Sequence, residues 1–153
     1  MTRAADLAIA PGRVMLDTNV FLAATDERRA EHADALMLLN RWPEDSVLCA
    51  SGQILREYLA VATRPADRNG LGLKPAEAAA NVRAIRDRVT LLAEDARVTE
   101  RLLRLSDDVP FAGRQVHDAN VVATMLVHGV GVLVTMNTSD FGRFCSHVSV
   151  LEL

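Results

Sequence analysis

Short apolar runs alternating with longer segments of helical period constrain this chain more than any other feature. Runs of four or five residues at Arg13–Leu16, Ser46–Ala50, Val89–Leu92, Val132–Thr135 and Val148–Leu151 have the length of buried strands. Between them, helices are predicted from Val20, over Arg29–Trp42, over Ser51–Thr63, from Pro75 to Arg88, over Asp95–Leu105 and over Gln115–Val127. Strand-helix alternation implies an α/β fold, with a parallel sheet of about four to five strands flanked by helices on both faces.

Local chemistry sets the limits of these segments. Pro43 stops the second helix, Ser51 caps the third and Pro75 opens the fourth at its first turn. On the second helix, Ala33, Leu36 and Met37 repeat at helical spacing and are expected to face inward; on the third, Ile54, Leu55, Tyr58, Leu59 and Ala62 do the same. Arg64–Gly72 and Pro110–Arg114 read as loops. Gln115–Val127 is apolar almost all round, so a buried helix is expected, ended by Gly129. Residues 1–12 read as a loose extension and residues 13–153 as one domain.

Half of the residues are apolar, enough for a sizeable core, and the net charge is −3, which announces no basic nucleic-acid surface. Lys74 is the only lysine among 17 basic residues. Genomic base composition explains such a bias, and so does a use of guanidinium groups on phosphates. Cys49 and Cys145 make no disulfide framework, and their apolar contexts suggest two buried thiols in a reduced, cytoplasmic protein. Asn120, His128, Gly129 and Gly131 interrupt the apolar stretch 119–136, which argues against a membrane span.

Four acids stand at positions where such a fold exposes side chains. Asp17 ends the first strand within Val14–Leu22, Glu57 lies beside the apolar face of the third helix, Asp118 falls in the first turn of the most apolar helix, and Asp140 follows the fourth strand. Ligands of open α/β sheets bind outside the carboxyl ends of the strands. Each acid also has an ordinary reading: Asp17 as a helix cap, Glu57 as an exposed helix residue, Asp118 as a first-turn acid and Asp140 as a cap. Brought together, the four would repel one another unless a cation neutralised them. Oxygen donors without a nearby Cys/His set select a hard divalent ion such as Mg²⁺ or Mn²⁺, which supports hydrolytic phosphate chemistry.

The blocks Met15-Leu16-Asp17-Thr18-Asn19, Arg56-Glu57-Tyr58, Gly113-Arg114-Gln115-Val116-His117-Asp118-Ala119 and Thr135-Met136-Asn137-Thr138-Ser139-Asp140-Phe141 follow one another in an informative order. In that order and spacing the chain, over roughly Arg13–Leu153, resembles the PIN-domain ribonucleases, and among them the VapC toxins of type II toxin–antitoxin pairs. The resemblance implies that Asp17, Glu57, Asp118 and Asp140 form an acidic centre. Asp17 and Asp118 would be its direct metal ligands, with Asp140 and Glu57 binding directly or through water. Asn19, Thr135 and Asn137 would hold the carboxylates by hydrogen bonds. It further implies Mg²⁺- or Mn²⁺-dependent hydrolysis of RNA by a metal-activated water, leaving a 5′-phosphate.

Apolar helices between Arg29 and Arg88 exceed what a bare core needs, so a homodimer and a cognate antitoxin covering the site are expected. His117 is not expected to share a metal with Asp118, since adjacent helix residues point about 100° apart. No zinc set is expected from Cys145, His147, His32 and His128. Trp42 is assigned to helix-end packing. Arg114 is assigned to a substrate phosphate or a surface ion pair, and Arg64 and Arg68 lie in a loop where RNA contact is conceivable. The alternative function is a PIN-fold module that binds RNA or a partner without cutting. A Rossmann-like metal phosphatase would require Asp-x-Asp, and residue 19 is Asn.

Overall fold

The computed structural model describes residues 12–41 and 46–153. Of the extension read over residues 1–12, all but residue 12 lies outside the described residues, as do the packing role of Trp42 and the stop at Pro43. Five parallel strands form one sheet: β1 (Arg13–Leu16), β2 (Val47–Ser51), β3 (Thr90–Leu92), β4 (Val132–Thr135) and β5 (Ser149–Glu152), in the order β3-β2-β1-β4-β5. The central strand β1 is buried throughout Val14, Met15 and Leu16, each at most 1% exposed. An unbroken apolar run is what a doubly covered parallel strand requires. Burying each of these side chains contributes about 1.5–3 kcal/mol.

Helices α1 (Thr18–Thr25) and α2 (His32–Arg41) carry the chain from β1 to β2. From β2 to β3 it runs through α3 (Gly52–Ala62) and α4 (Pro75–Arg86). The return from β3 to β4 uses α5 (Ala96–Asp108) and α6 (Gln115–Val127). A short α7 (Thr138–Phe141) and a 3-10 turn at Gly142–Phe144 precede β5. Helix α1 packs on α2 and α3, and α3 on α4; α5 packs on α6, and α6 on α7. The connections cross the sheet first one way and then the other, so right-handed crossovers place the two groups on opposite faces. The direction changes between β1 and β4. Beyond their carboxyl ends opens the crevice in which folds of this class place their sites.

The stops work as their residues dictate. Ser51 Oγ accepts from the Ile54 N–H at 3.4 Å and caps α3. Gly129, at φ 67°, ends α6 in a left-handed turn, with Val130 N–H donating to Met125 O at 2.9 Å. That is the geometry a Cβ disfavours and glycine permits.

Four expectations need correction. On α2 the buried residues are Ala35 and Leu38, with Leu39 partly buried, whereas Ala33, Leu36 and Met37 are exposed. Residues 35–39 are apolar without a break, so two helical strips fit the pattern equally, and packing on α1 selects the second. Helix α6 is buried at Ala119 and from Val121 to Met125, half-buried at Asn120, Leu126 and Val127, and open in its first turn, with Val116 at 37% exposure. Cys49 is buried but Cys145 is exposed, because Phe144 takes the neighbouring core position. The segment after β4 holds α7 and a 3-10 turn, and the loop after α3 holds another at Ala66–Arg68. Elements this short leave no period to read. Among the described residues no helix is long and apolar enough to cross a membrane.

Candidate acidic active site

Asp17 follows the last residue of β1, and its N–H donates to Val134 O at 3.0 Å, which holds it beside the end of β4. Its extended backbone hands the chain directly to α1, and the carboxylate caps that helix through Thr18 N–H at 2.8 Å. The cap and the strand-end acid are therefore one residue with both roles. On its other oxygen, Oδ2, Asp17 accepts from Thr135 Oγ1 at 2.7 Å and from Asn19 Nδ2 at 3.2 Å. These three bonds use most of the roughly four lone-pair positions of a carboxylate and leave room on Oδ1.

The supporting groups hold one another as well. Asn19 Nδ2 also donates to Thr135 Oγ1 at 3.2 Å, and Asn19 Oδ1 accepts from Met136 N–H at 3.1 Å. Thr135, fully buried, accepts the Asn137 N–H at 3.0 Å. Asn137 thus takes part through its backbone, and its exposed side chain makes no hydrogen bond among the described residues. Such saturation fixes the Asp17 rotamer before any ligand arrives.

Glu57 is half-buried on α3 and bonded at both oxygens: Oε2 accepts from Thr18 Oγ1 at 2.9 Å and Oε1 from Gln53 Nε2 at 2.8 Å. It is not a free surface residue. Asp118 lies half-buried in the first turn of α6, and Asp140 lies exposed in the first turn of α7 rather than at its cap, which is Asn137. Among the described residues neither side chain accepts a hydrogen bond. Both benefit from the positive end of a helix dipole.

The field joins the four. Burial raises the Asp17 carboxyl above its ordinary range, against the lowering effect of Thr135 and Thr18, and the charges of Glu57 and Asp140 raise it further. Asp118 is pushed up to about 6, first by burial and then by Asp17, Asp140 and Glu57, with His117 acting the other way. No ion pair among the described residues includes any of the four acids. Protonation or a cation from outside would relieve this charge, and an all-oxygen donor set would suit a hard divalent ion. The donor chemistry fits, yet among the described residues no group of three or more His, Cys, Asp or Glu is drawn together tightly enough to hold a metal ion. The carboxylates share a field without forming a finished ligand shell.

Other residues fall away from this centre or join it unannounced. His117 is exposed, and only its backbone carbonyl enters the site's network. Arg114 is exposed at the start of α6 and forms no ion pair among the described residues. Gln53, Asn120 and Glu94 carry no site role in the sequence reading, and Thr18, read there as part of the turn at Asp17, also bonds Glu57. The signals were Gln53 four residues before Glu57 on one helix, Asn120 inside an apolar helix, and Glu94 just past a strand end.

A PIN domain family model matches residues 14–145. Among solved structures the chain is similar to VapBC2 from Rickettsia felis bound to a promoter DNA fragment, at 16% identity and TM-score 0.68, covering 92% of this chain and 98% of that one. It is also similar to a toxin–antitoxin complex from Klebsiella pneumoniae, at 21% identity and TM-score 0.57, covering 84% and 89% of the two chains. Mycobacterium tuberculosis VapC20, a Sarcin-Ricin loop cleaving toxin, aligns at 22% identity and TM-score 0.57 over 78% of this chain and 86% of that one. No match was found among proteins of curated function. At these identities the structures speak for the fold, and the family rests on the match over most of the sequence: this chain belongs to the PIN domain family.

Proposed function

We propose that the chain is the toxin of a type II toxin–antitoxin pair and hydrolyses RNA phosphodiester bonds as a Mg²⁺- or Mn²⁺-dependent endoribonuclease. The observation that carries this reading is that Asp17 and Asp118 feel the charges of Glu57 and Asp140, and that none of the four acids forms an ion pair among the described residues. Asp17, Asp118 and Asp140 would hold the ion, and Glu57 would orient the attacking water. Bound there, the metal would supply Lewis-acid activation of water and charge neutralisation at the phosphate. Asn19 and Thr135 keep Asp17 aimed into the crevice. The resemblance of the fold to a toxin–antitoxin complex and to an RNA-loop-cleaving toxin supports this assignment. An antitoxin or a second copy would cover the apolar side chains exposed on the helices, such as Leu36 and Met37 on α2.

The unassembled ligand shell favours one rival, a PIN-fold module that binds RNA or a partner without cutting. Incubation of the purified protein with RNA separates the two. Cleavage is expected with Mg²⁺ or Mn²⁺, stopped by EDTA, and reduced more than ~10²-fold in Asp17→Asn and Asp118→Asn, the scale on which loss of one charge-stabilising group is felt. An Asp118→Asn variant that cuts at the native rate overturns the mechanism.

A further inference from the structure

Glu57 is held by a chain of hydrogen bonds that begins at a fifth carboxylate, Glu94, two residues past β3. Glu94 Oε2 accepts the Gln53 N–H in the first turn of α3 at 2.7 Å, and Glu94 Oε1 accepts Asn120 Nδ2 at 2.9 Å. Asn120 Nδ2 also donates to Gln53 Oε1 at 2.7 Å. Gln53 Nε2 then donates both its protons, to Glu57 Oε1 at 2.8 Å and to His117 O at 2.9 Å. Gln53 is only 5% exposed, so an unmade bond there would not be replaced by bulk water.

The polarity of this chain is forced. An ionised Glu94 can only accept, so the Asn120 amide must turn its NH₂ group toward it. The remaining Asn120 proton requires an oxygen, and that sets the Gln53 carbonyl toward Asn120. The Gln53 NH₂ is thereby left facing Glu57 and His117 O, which are both acceptors. A flipped Gln53 would set oxygen against oxygen at Glu57 and nitrogen against nitrogen at Asn120. Gly52 belongs to the same arrangement, because a Cβ at that position would stand 3.2 Å from Glu94 Oε2.

We infer that Gln53 is the positioning residue of the acidic centre, its orientation fixed by Glu94 through Asn120. It aims the Glu57 carboxylate directly. It also ties the first turn of α3 to the peptide unit joining His117 to Asp118, and so sets the distance between the acids carried by α3 and α6. The inference rests on the metal-centre reading above and extends it to residues that would not touch the ion.

Mn²⁺ binding, measured by electron paramagnetic resonance or calorimetry on the RNA-free protein, tests it. Gln53→Met keeps the side-chain length and removes the amide; a fall in Mn²⁺ affinity of about tenfold or more is expected, the effect of losing a group that orients a ligand. Glu94→Gln, which touches neither Glu57 nor His117, should shift affinity in the same direction by putting an NH₂ group against a donor. In a Glu57→Ala background, Gln53→Met should cost much less than in the native chain, since the two act as one unit. Native affinity in Gln53→Met and Glu94→Gln overturns the inference. So does an undiminished loss in the Glu57→Ala background, which marks a packing role alone. Failure of the native chain to bind Mn²⁺ overturns the metal-centre reading, and this inference with it; loss of the inference alone leaves the contrast between native and Asp118→Asn intact.

Discussion

Asp17 and Glu57 accept five hydrogen bonds between them, from Thr18, Asn19, Gln53 and Thr135. Among the described residues the side chains of Asp118 and Asp140 accept none, although the charges of Glu57 and Asp140 raise the carboxyls of both Asp17 and Asp118. Asp17 stands at a strand end whose place is fixed by β1, β4 and the core beneath them, and Glu57 is bonded to the residue that follows it. Asp118 and Asp140 stand in the first turns of α6 and α7, with the helix dipole as their main support. One half of the site supplies geometry and the other supplies charge that is free to respond. On the metal-centre reading proposed above, a cation would have to draw the Asp118 and Asp140 carboxylates toward the fixed Asp17 and Glu57.

Breaking the rigid half should have the largest effect on stability. Thr135→Val preserves shape in a fully buried position but removes the donor to Asp17 and the acceptor for Asn19 and Asn137. Leaving such groups unsatisfied costs about 1–3 kcal/mol, read as a lower urea midpoint, and should weaken Mn²⁺ binding as well. A Thr135→Val protein as stable as the native one would erase the distinction between the halves.

Asp118 should respond in the opposite sense. Its carboxyl titrates near 6 in the folded chain against an ordinary 3.8, with burial the first cause. Between those values the folded chain keeps a proton that the unfolded chain has released. Stability from this group is therefore full below about pH 4 and lost as pH rises through about 6. Asp118→Asn removes the penalty, so the variant should exceed the native protein by on the order of 1 kcal/mol at pH 7 after allowance for solvent screening. Melting curves across this range check it: the advantage should vanish near pH 4 and grow toward pH 7. A constant difference would mean that Asp118 does not carry the repulsion.

The same division explains what the chain discloses without a structure. Val14–Leu16 and Val132–Thr135 declare buried strands because parallel strands covered on both faces cannot alternate, and the acids beyond such runs fall where side chains meet. Gly129 and Pro75 act locally and are legible for that reason. The face of α2 is not, since Ala35–Leu39 offers two apolar strips and only contact with α1 decides between them. Nor is the link from Glu94 through Asn120 and Gln53 to Glu57. It depends on three segments meeting at the carboxyl end of the sheet, and polar residues carry no period that announces such a meeting. Pattern reaches what the backbone repeats; side-chain networks across segments need coordinates.

The smallest effect on stability is expected at Asp140, and it sharpens the comparison most. The residue is exposed, accepts no hydrogen bond among the described residues, and sits in a helix of four residues. Asp140→Asn should therefore change unfolding free energy by no more than about 0.5 kcal/mol, as surface substitutions do. Its charge nevertheless raises both the Asp17 and the Asp118 carboxyls. Removing it should ease their repulsion, so the Asp118 titration should move down toward its ordinary value, and by linkage the fold should gain slightly in stability at neutral pH, within about 0.5 kcal/mol. Carboxyl resonances followed by NMR against pH would read that shift directly. An unmoved Asp118 titration would place Asp140 outside the cluster and leave the loose half of the site with one acid.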